Sequence, residues 1–147
     1  SFMEKLKATP RWDNTLVVLV PDHYGAYPKP LDSMKDRHHV PLIFTGGALK
    51  QSGKNSVAAS QADIAATLLG MLGIDHSKFT FSKNLFDADA PKFAYFLEPE
   101  LAGIVDENGY AAINVISGEV VESSGADPSI VRLKAYIQLI NQDFTNR

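Results

Sequence analysis

The sequence predicts an α/β fold: the last part of an α/β sheet, followed by a small antiparallel α+β tail. Three observations predict it. Leu16 to Val20 is an unbroken apolar run rich in β-branched residues. Such a run reads as a strand covered on both faces, as in a parallel sheet. Ser60 to Leu72 carries the periodicity of an amphipathic helix. From Phe93 onward, short strand-like segments alternate with hairpin-type turns and end in a second periodic helix.

Taken in order, Phe2 to Lys7 reads as a helix end, with Phe2, Met3 and Leu6 apolar and Pro10 stopping it. Arg11 to Asn14 is a polar link into the strand at Leu16 to Val20. Tyr24 to His38 reads as a long loop, because Pro28, Pro30, Asp32, Ser33 and Asp36 leave no usable period. Val40 to Thr45 is a second short strand beside the first, with Pro41 tolerable near its start and Gly46-Gly47 ending it. Leu49 to Asn55 is a polar loop.

In the helix Ser60 to Leu72, Ser60 is the expected cap and Asp63 completes a capping box. Ile64, Leu68, Met71 and Leu72 are the expected buried face, and Gly73 fits the left-handed residue after the last turn. Asp75 to Lys83 is a loop. Strands are expected at Phe93 to Leu97, Gly103 to Asp106, Tyr110 to Ile116 and Glu119 to Glu122, with turns at Asn108-Gly109 and Ser117-Gly118. Asp127 should cap the last helix, with Pro128 at its first position and Ile130, Leu133, Ile137, Ile140 and Phe144 as its buried stripe. The expected division is 1–86 as the sheet-bearing part and 87–147 as an antiparallel sheet and helix packed on the same domain. The two strands near the start want neighbours that the chain does not clearly supply, and the chain opens inside a helix. Both features predict an upstream half outside this chain.

Composition narrows the function. The 147 residues suit one domain, and 45 % hydrophobic residues allow a sizeable core. Net charge is -3 and no basic block stands out, so nucleic-acid binding has no electrostatic footprint. Cysteine is absent, which excludes disulfides, thiolate catalysis and thiolate zinc sites. The longest apolar run is five residues, far short of a membrane span, and the stretch that opens at Ser1 is not expected to be a signal peptide.

The chemistry-bearing residues follow the first strand directly. Asp22 and His23 stand at its carboxyl end, where open α/β sheets bind ligands. Together they offer one oxygen and one nitrogen donor suited to zinc or manganese. The plainer alternative is that Asp22 begins a turn and His23 is a surface residue.

Four segments, in order, resemble the alkaline-phosphatase superfamily. These are N-T-L-V-V-L-V-P-D-H-Y-G at Asn14 to Gly25, H-H-V-P-L-I-F-T-G-G at His38 to Gly47, S-Q-A-D-I-A-A-T-L-L-G-M-L-G-I at Ser60 to Ile74, and F-S-K-N-L-F at Phe81 to Phe86. The likeness is to the sulfatase-like branch that includes lipoteichoic acid synthases and other phosphoglycerol transferases. It covers about Phe2 to Phe86 well and the tail more loosely.

The resemblance implies the C-terminal part of an alkaline-phosphatase-like sheet. It implies that Asp22 and His23 are metal ligands, and that His39 stands beside the site, touching substrate or a second metal or supporting the loop. His38 and His76 are expected at the surface, and Asp63 as a helix cap and not a ligand. The implied cofactor is a divalent metal, manganese or zinc with calcium or magnesium as alternatives. The implied partners are a phospho- or sulfo-ester substrate and the missing N-terminal half of the catalytic domain. The family's nucleophile and an earlier acidic ligand lie upstream; Thr9 and Thr15 do not match the nucleophile motif. Pro21 departs from the small residue usual before the Asp-His pair, and so bears on ligand geometry.

The implied function is a fragment of a metal-dependent ester hydrolase or transferase. The alternatives are an arylsulfatase fragment and a non-catalytic structural or binding module. The chain alone is expected to be inactive, to bind metal weakly or not at all, and to have a disordered or displaced Tyr24 to His38 loop. The piece is expected to be soluble, and its parent membrane-anchored with an extracytoplasmic catalytic domain.

Overall fold

A computed structural model describes residues 1–24, 31–124 and 127–147. The chain forms two compact units, Ser1–Asn55 and Ser56–Arg147.

The first unit begins with α1, Phe2–Lys7. Ser1 caps it: its hydroxyl accepts the Glu4 N–H while the Glu4 side chain reaches back to the Ser1 nitrogen. The expected polar link at Arg11 to Asn14 contains a 3-10 turn, Trp12–Asn14. Strands β1, Val17–Leu19, and β2, Ile43–Thr45, then pair. They are neighbours, as the sequence predicts, but they run antiparallel, with Val18 opposite Phe44. The parallel expectation is therefore corrected. An all-apolar run reports burial, and burial does not fix strand direction. Nor are both faces covered: Leu19 and Ile43, opposite each other, are 46 % and 49 % exposed.

The expected structureless loop from Tyr24 to His38 is also corrected in part. Met34–His38 forms a short helix, α2, with Met34 buried. Arg37 Nε donates to the Leu31 carbonyl at 2.6 Å and fixes the approach to it. Five residues are too few to show a helical period, so tertiary packing of Met34 decides. Of the stretch Tyr24 to His38, expected to be disordered or displaced, residues 25–30 lie outside the described residues.

Gly46 ends β2 with φ +127°. A Cβ there would collide with the Thr15 carbonyl, and Thr15 is itself tied through its hydroxyl to the Arg11 carbonyl at 2.7 Å. We expect Gly46→Ala to destabilise this unit by about 2 kcal/mol, from left-handed strain and backbone overlap together. Urea unfolding followed by Trp12 fluorescence measures it, and an unchanged midpoint would refute the strain argument.

In the second unit α3 spans Asp63–Met71. The capping expectation is half right. Asp63 Oδ2 accepts the Ser60 N–H at 2.8 Å, but the Ser60 hydroxyl accepts the Tyr95 N–H at 2.7 Å instead of capping the helix. The C-terminal end follows the sequence closely. Gly73 has φ +69°, Ile74 N–H bonds the Leu69 carbonyl and Gly73 N–H the Gly70 carbonyl, a complete Schellman motif.

The buried face of α3 differs from the expected one. Asp63, Ala66 and Thr67 are fully buried, whereas Leu72 is 66 % exposed. The reason is polar docking. Ser82 Oγ accepts the Ala66 N–H at 2.9 Å and donates to the Ala62 carbonyl at 2.6 Å, while Thr67 Oγ1 accepts the Leu85 N–H at 3.1 Å. The segment Ser82 to Leu85 thus lies against the small and polar side of the helix.

Strands β3 (Phe93–Leu97), β4 (Leu101–Asp106), β5 (Gly109–Asn114) and β6 (Val120–Ser123) form an antiparallel sheet in that order. Helix α4, Asp127–Thr145, packs on β4 and β5. The core is Ala102, Ile104, Ala111, Ile113 and Leu133, with Ile130 and Ile137 packed against it. Small residues on β4 and β5 let the helix approach closely. Phe144, expected in the buried stripe, is 82 % exposed, so the stripe ends before the last turn. Tyr136 instead carries the aromatic packing, with edge contacts to Phe81, Phe93 and Tyr95 at centroid distances of 5.9, 5.1 and 4.9 Å.

Candidate metal centre

Asp22 and His23 leave the end of β1 at Leu19 through Val20 and Pro21. Asp22 Oδ1 accepts the His23 N–H at 2.9 Å, which folds the carboxylate back over its neighbour. The same oxygen lies 3.6 Å from His23 Nε2. His23 Nδ1 is 2.7 Å from the Tyr24 carbonyl oxygen. A carbonyl only accepts, so this contact requires the proton on Nδ1. In neutral His23 the lone pair then sits on Nε2, beside the Asp22 carboxylate.

That is the tautomer a metal-ligating imidazole uses, oriented by a carbonyl through its other nitrogen. Both side chains are open to solvent, His23 at 76 % and Asp22 at 88 %. The pair therefore fits two positions in the coordination sphere of a divalent cation. It is not a complete site: among the described residues, no group of three or more His, Asp or Glu could hold a metal ion. Pro21 does not prevent the two donors from converging.

Among the described residues, the other sequence candidates do not join this pair in a group of three that could hold a metal ion. His39 caps the end of α2, where its N–H bonds the Asp36 carbonyl at 3.2 Å, and it is exposed. His38 Nδ1 lies 2.8 Å from the Met34 carbonyl and holds the same short helix. His76 is half-buried in the loop after α3. Asp63 is a helix-start residue, as expected, and also the anion of a buried ion pair. Lys83 Nζ lies 2.9 Å from each of its carboxylate oxygens, and the Lys83 N–H bonds Oδ1 at 2.9 Å.

A second charged cluster went unpredicted. Arg132 on α4 bonds Asp106 Oδ2 at 2.7 Å and both oxygens of Glu107 at 3.0 Å. Hydrogen bonding from Arg132 holds the Glu107 carboxyl down at about 2. No spacing rule on one helix could have signalled this, because the partners are 25 and 26 positions apart.

No curated protein matches the chain. A protein in the alkaline phosphatase superfamily from Vibrio parahaemolyticus is similar in structure, with a TM-score of 0.74 and 21 % identity. The likeness covers 99 % of this chain and 38 % of that one. At that identity it carries the fold alone: an α/β architecture with antiparallel sheets, corresponding to part of an alkaline-phosphatase-like chain. The sulfatase family model matches residues 1–74, a span that holds β1, Asp22, His23, β2 and α3. The chain therefore belongs to the sulfatase family.

Proposed function

We propose that this chain is the C-terminal part of a metal-dependent phospho- or sulfo-ester hydrolase or transferase, and that it contributes two of the metal ligands. The observation carrying this reading is the pairing of Asp22 with the Nε2 face of His23 at the end of β1, inside the segment matched to the sulfatase family. Within the family, the phosphoglycerol-transferase branch, with lipoteichoic acid synthases, is the reading we favour from motif order. The proposed division is 1–86 as the C-terminal part of the sulfatase-like domain and 87–147 as a tail packed on it.

In this reading Asp22 supplies a hard oxygen and neutralises one unit of cation charge. His23 supplies Nε2, held in place by the Tyr24 carbonyl. His39 is proposed as a substrate or second-metal contact. The metal, manganese or zinc with calcium or magnesium as alternatives, would polarise the ester oxygens and activate the nucleophile. That nucleophile and the remaining ligands are assigned to the N-terminal half of the catalytic domain. The parent is proposed to be membrane-anchored with an extracytoplasmic catalytic domain. Within the described residues of this chain, no helix is long and apolar enough to cross a membrane.

Two measurements test the assignment. Calorimetry of this chain with zinc or manganese should show weak binding or none, since catalytic zinc sites normally take three protein ligands plus water. Tight one-to-one binding lost on His23→Ala would show a self-sufficient site and overturn the partial-site reading. In the full-length parent, Asp22→Ala should abolish both metal content and ester turnover. Retained activity would remove Asp22 from the site. Assaying phosphoglycerol and aryl sulfate esters side by side separates the favoured branch from an arylsulfatase.

A further inference from the structure

The β4–β5 turn joins a reactive dipeptide to a buried carboxylate. Asp106 pairs with Gly109 across the ladder, leaving Glu107 and Asn108 as a two-residue loop. Asn108 is exposed, and Gly109 follows it with φ +141°. An asparagine followed by glycine is the dipeptide most open to cyclisation, because no Cβ shields the following amide nitrogen. That nitrogen is already engaged here. Asp106 Oδ1 accepts the Gly109 N–H at 3.2 Å and the Asn108 N–H at 2.9 Å. The Asp106 side chain is fully buried; Ser129 Oγ donates to the same Oδ1 at 2.8 Å, and Arg132 Nη1 donates to Oδ2 at 2.7 Å.

We propose that Asn108-Gly109 is a latent deamidation site that Asp106 holds shut. In the reaction, the Gly109 amide nitrogen loses its proton to solvent base and attacks Asn108 Cγ. The new N–Cγ bond closes a succinimide as the Cγ–Nδ2 bond breaks, and ammonia leaves with a proton from water. Hydrolysis of the ring leaves an aspartyl or isoaspartyl residue at position 108. No redox partner is needed. Acceptance of the Gly109 proton by a carboxylate opposes the first step twice: the negative charge disfavours loss of that proton, and the bond fixes the nitrogen in the ladder. Reaction therefore waits for the turn to open. Once it occurs, a new carboxylate stands beside Glu107 and Asp106, and the isoaspartyl form lengthens the backbone and breaks the Asp106–Gly109 register. The site is a one-way modification that loosens the attachment of the hairpin to α4.

The test is isoaspartate quantification at position 108 by peptide mapping during incubation at mildly alkaline pH. The samples are the chain, its Asp106→Ala and Arg132→Ala variants, and a synthetic peptide spanning 104–113. The chain should convert at least about tenfold more slowly than the peptide, the factor set by a hydrogen bond to a charged group. Asp106→Ala should approach the peptide rate. Arg132→Ala weakens the attachment of α4 but leaves the Asp106 acceptor in place, so it should stay much nearer the unsubstituted chain. Circular dichroism checks that each variant remains folded at the incubation temperature. If Asp106→Ala does not fold, Arg132→Ala and the peptide still decide the question. A chain as fast as the peptide, or an Arg132→Ala variant as fast as the peptide, would overturn the proposal.

Discussion

Lys83→Met should cost the chain about 3–5 kcal/mol of stability, the range for stripping one partner from a buried ion pair. Asp63 is fully buried, and the Lys83 side chain is only 12 % exposed. Methionine keeps the volume of the lysine stem, so the loss isolates charge. Asp63 would retain the Ser60 and Lys83 backbone N–H groups but no cation among the described residues. The ammonium also stacks on Phe93, 4.1 Å from the ring centroid, a contact worth about 1 kcal/mol more. Adding Asp63→Asn should recover much of the loss, because a neutral amide does not need the cation. Urea unfolding of both single variants and the double variant closes the cycle. A Lys83→Met variant within about 1 kcal/mol of the parent would show that the backbone donors alone satisfy Asp63.

This pair also shows where sequence reading stops. Asp63 was legible as a helix-start residue because capping is local: Ser60 and Asp63 are three positions apart. Its partner was not, because Lys83 reaches it from twenty positions further along the chain, beyond the end of α3. The same boundary recurs elsewhere. Gly73 was legible, since only its own backbone decides a left-handed cap. The Ser60 hydroxyl was misassigned, since its partner Tyr95 lies on a strand thirty-five positions on. Strands β3 to β6 were found to within a few residues from turn chemistry and alternation. The direction of β1 against β2 was not, because parallel and antiparallel burial leave the same apolar run.

For the candidate centre, the donors Asp22 and His23 were legible as residue types at a strand end. The Nδ1 contact to the Tyr24 carbonyl, which selects Nε2, is conformational and has no sequence signature. His39 reads the same in sequence whether it serves a site or ends a helix.

Arg132→Ala should cost about 2 kcal/mol near neutral pH, and the cost should shrink in acid. Arg132 is 39 % exposed, so solvent screens part of its interaction, but Asp106 beneath it is fully buried. The variant leaves Asp106 with Ser129 and two backbone N–H donors and removes its only charged partner among the described residues. Losing a hydrogen bond to a charged group costs about 1.5–3 kcal/mol, and partial exposure places this one toward the lower end. The pH dependence follows from Glu107. Its ordinary value of 4.5 falls to about 2 in the folded chain, with hydrogen bonding from Arg132 the largest cause. A carboxyl with a depressed folded-state pKa binds protons more readily in the unfolded chain, so its contribution is complete above 4.5 and is lost as pH falls toward 2. Arg132→Ala removes the largest cause of the depression, so the variant should lack most of that part of the acid dependence. Chemical denaturation of both proteins at intervals from pH 7 to pH 2 should therefore give stability curves that converge below about 4.5. Curves that stay parallel across this window would mean that Glu107 is not held by Arg132 in solution, and that the polar tie of the hairpin to α4 runs through Asp106.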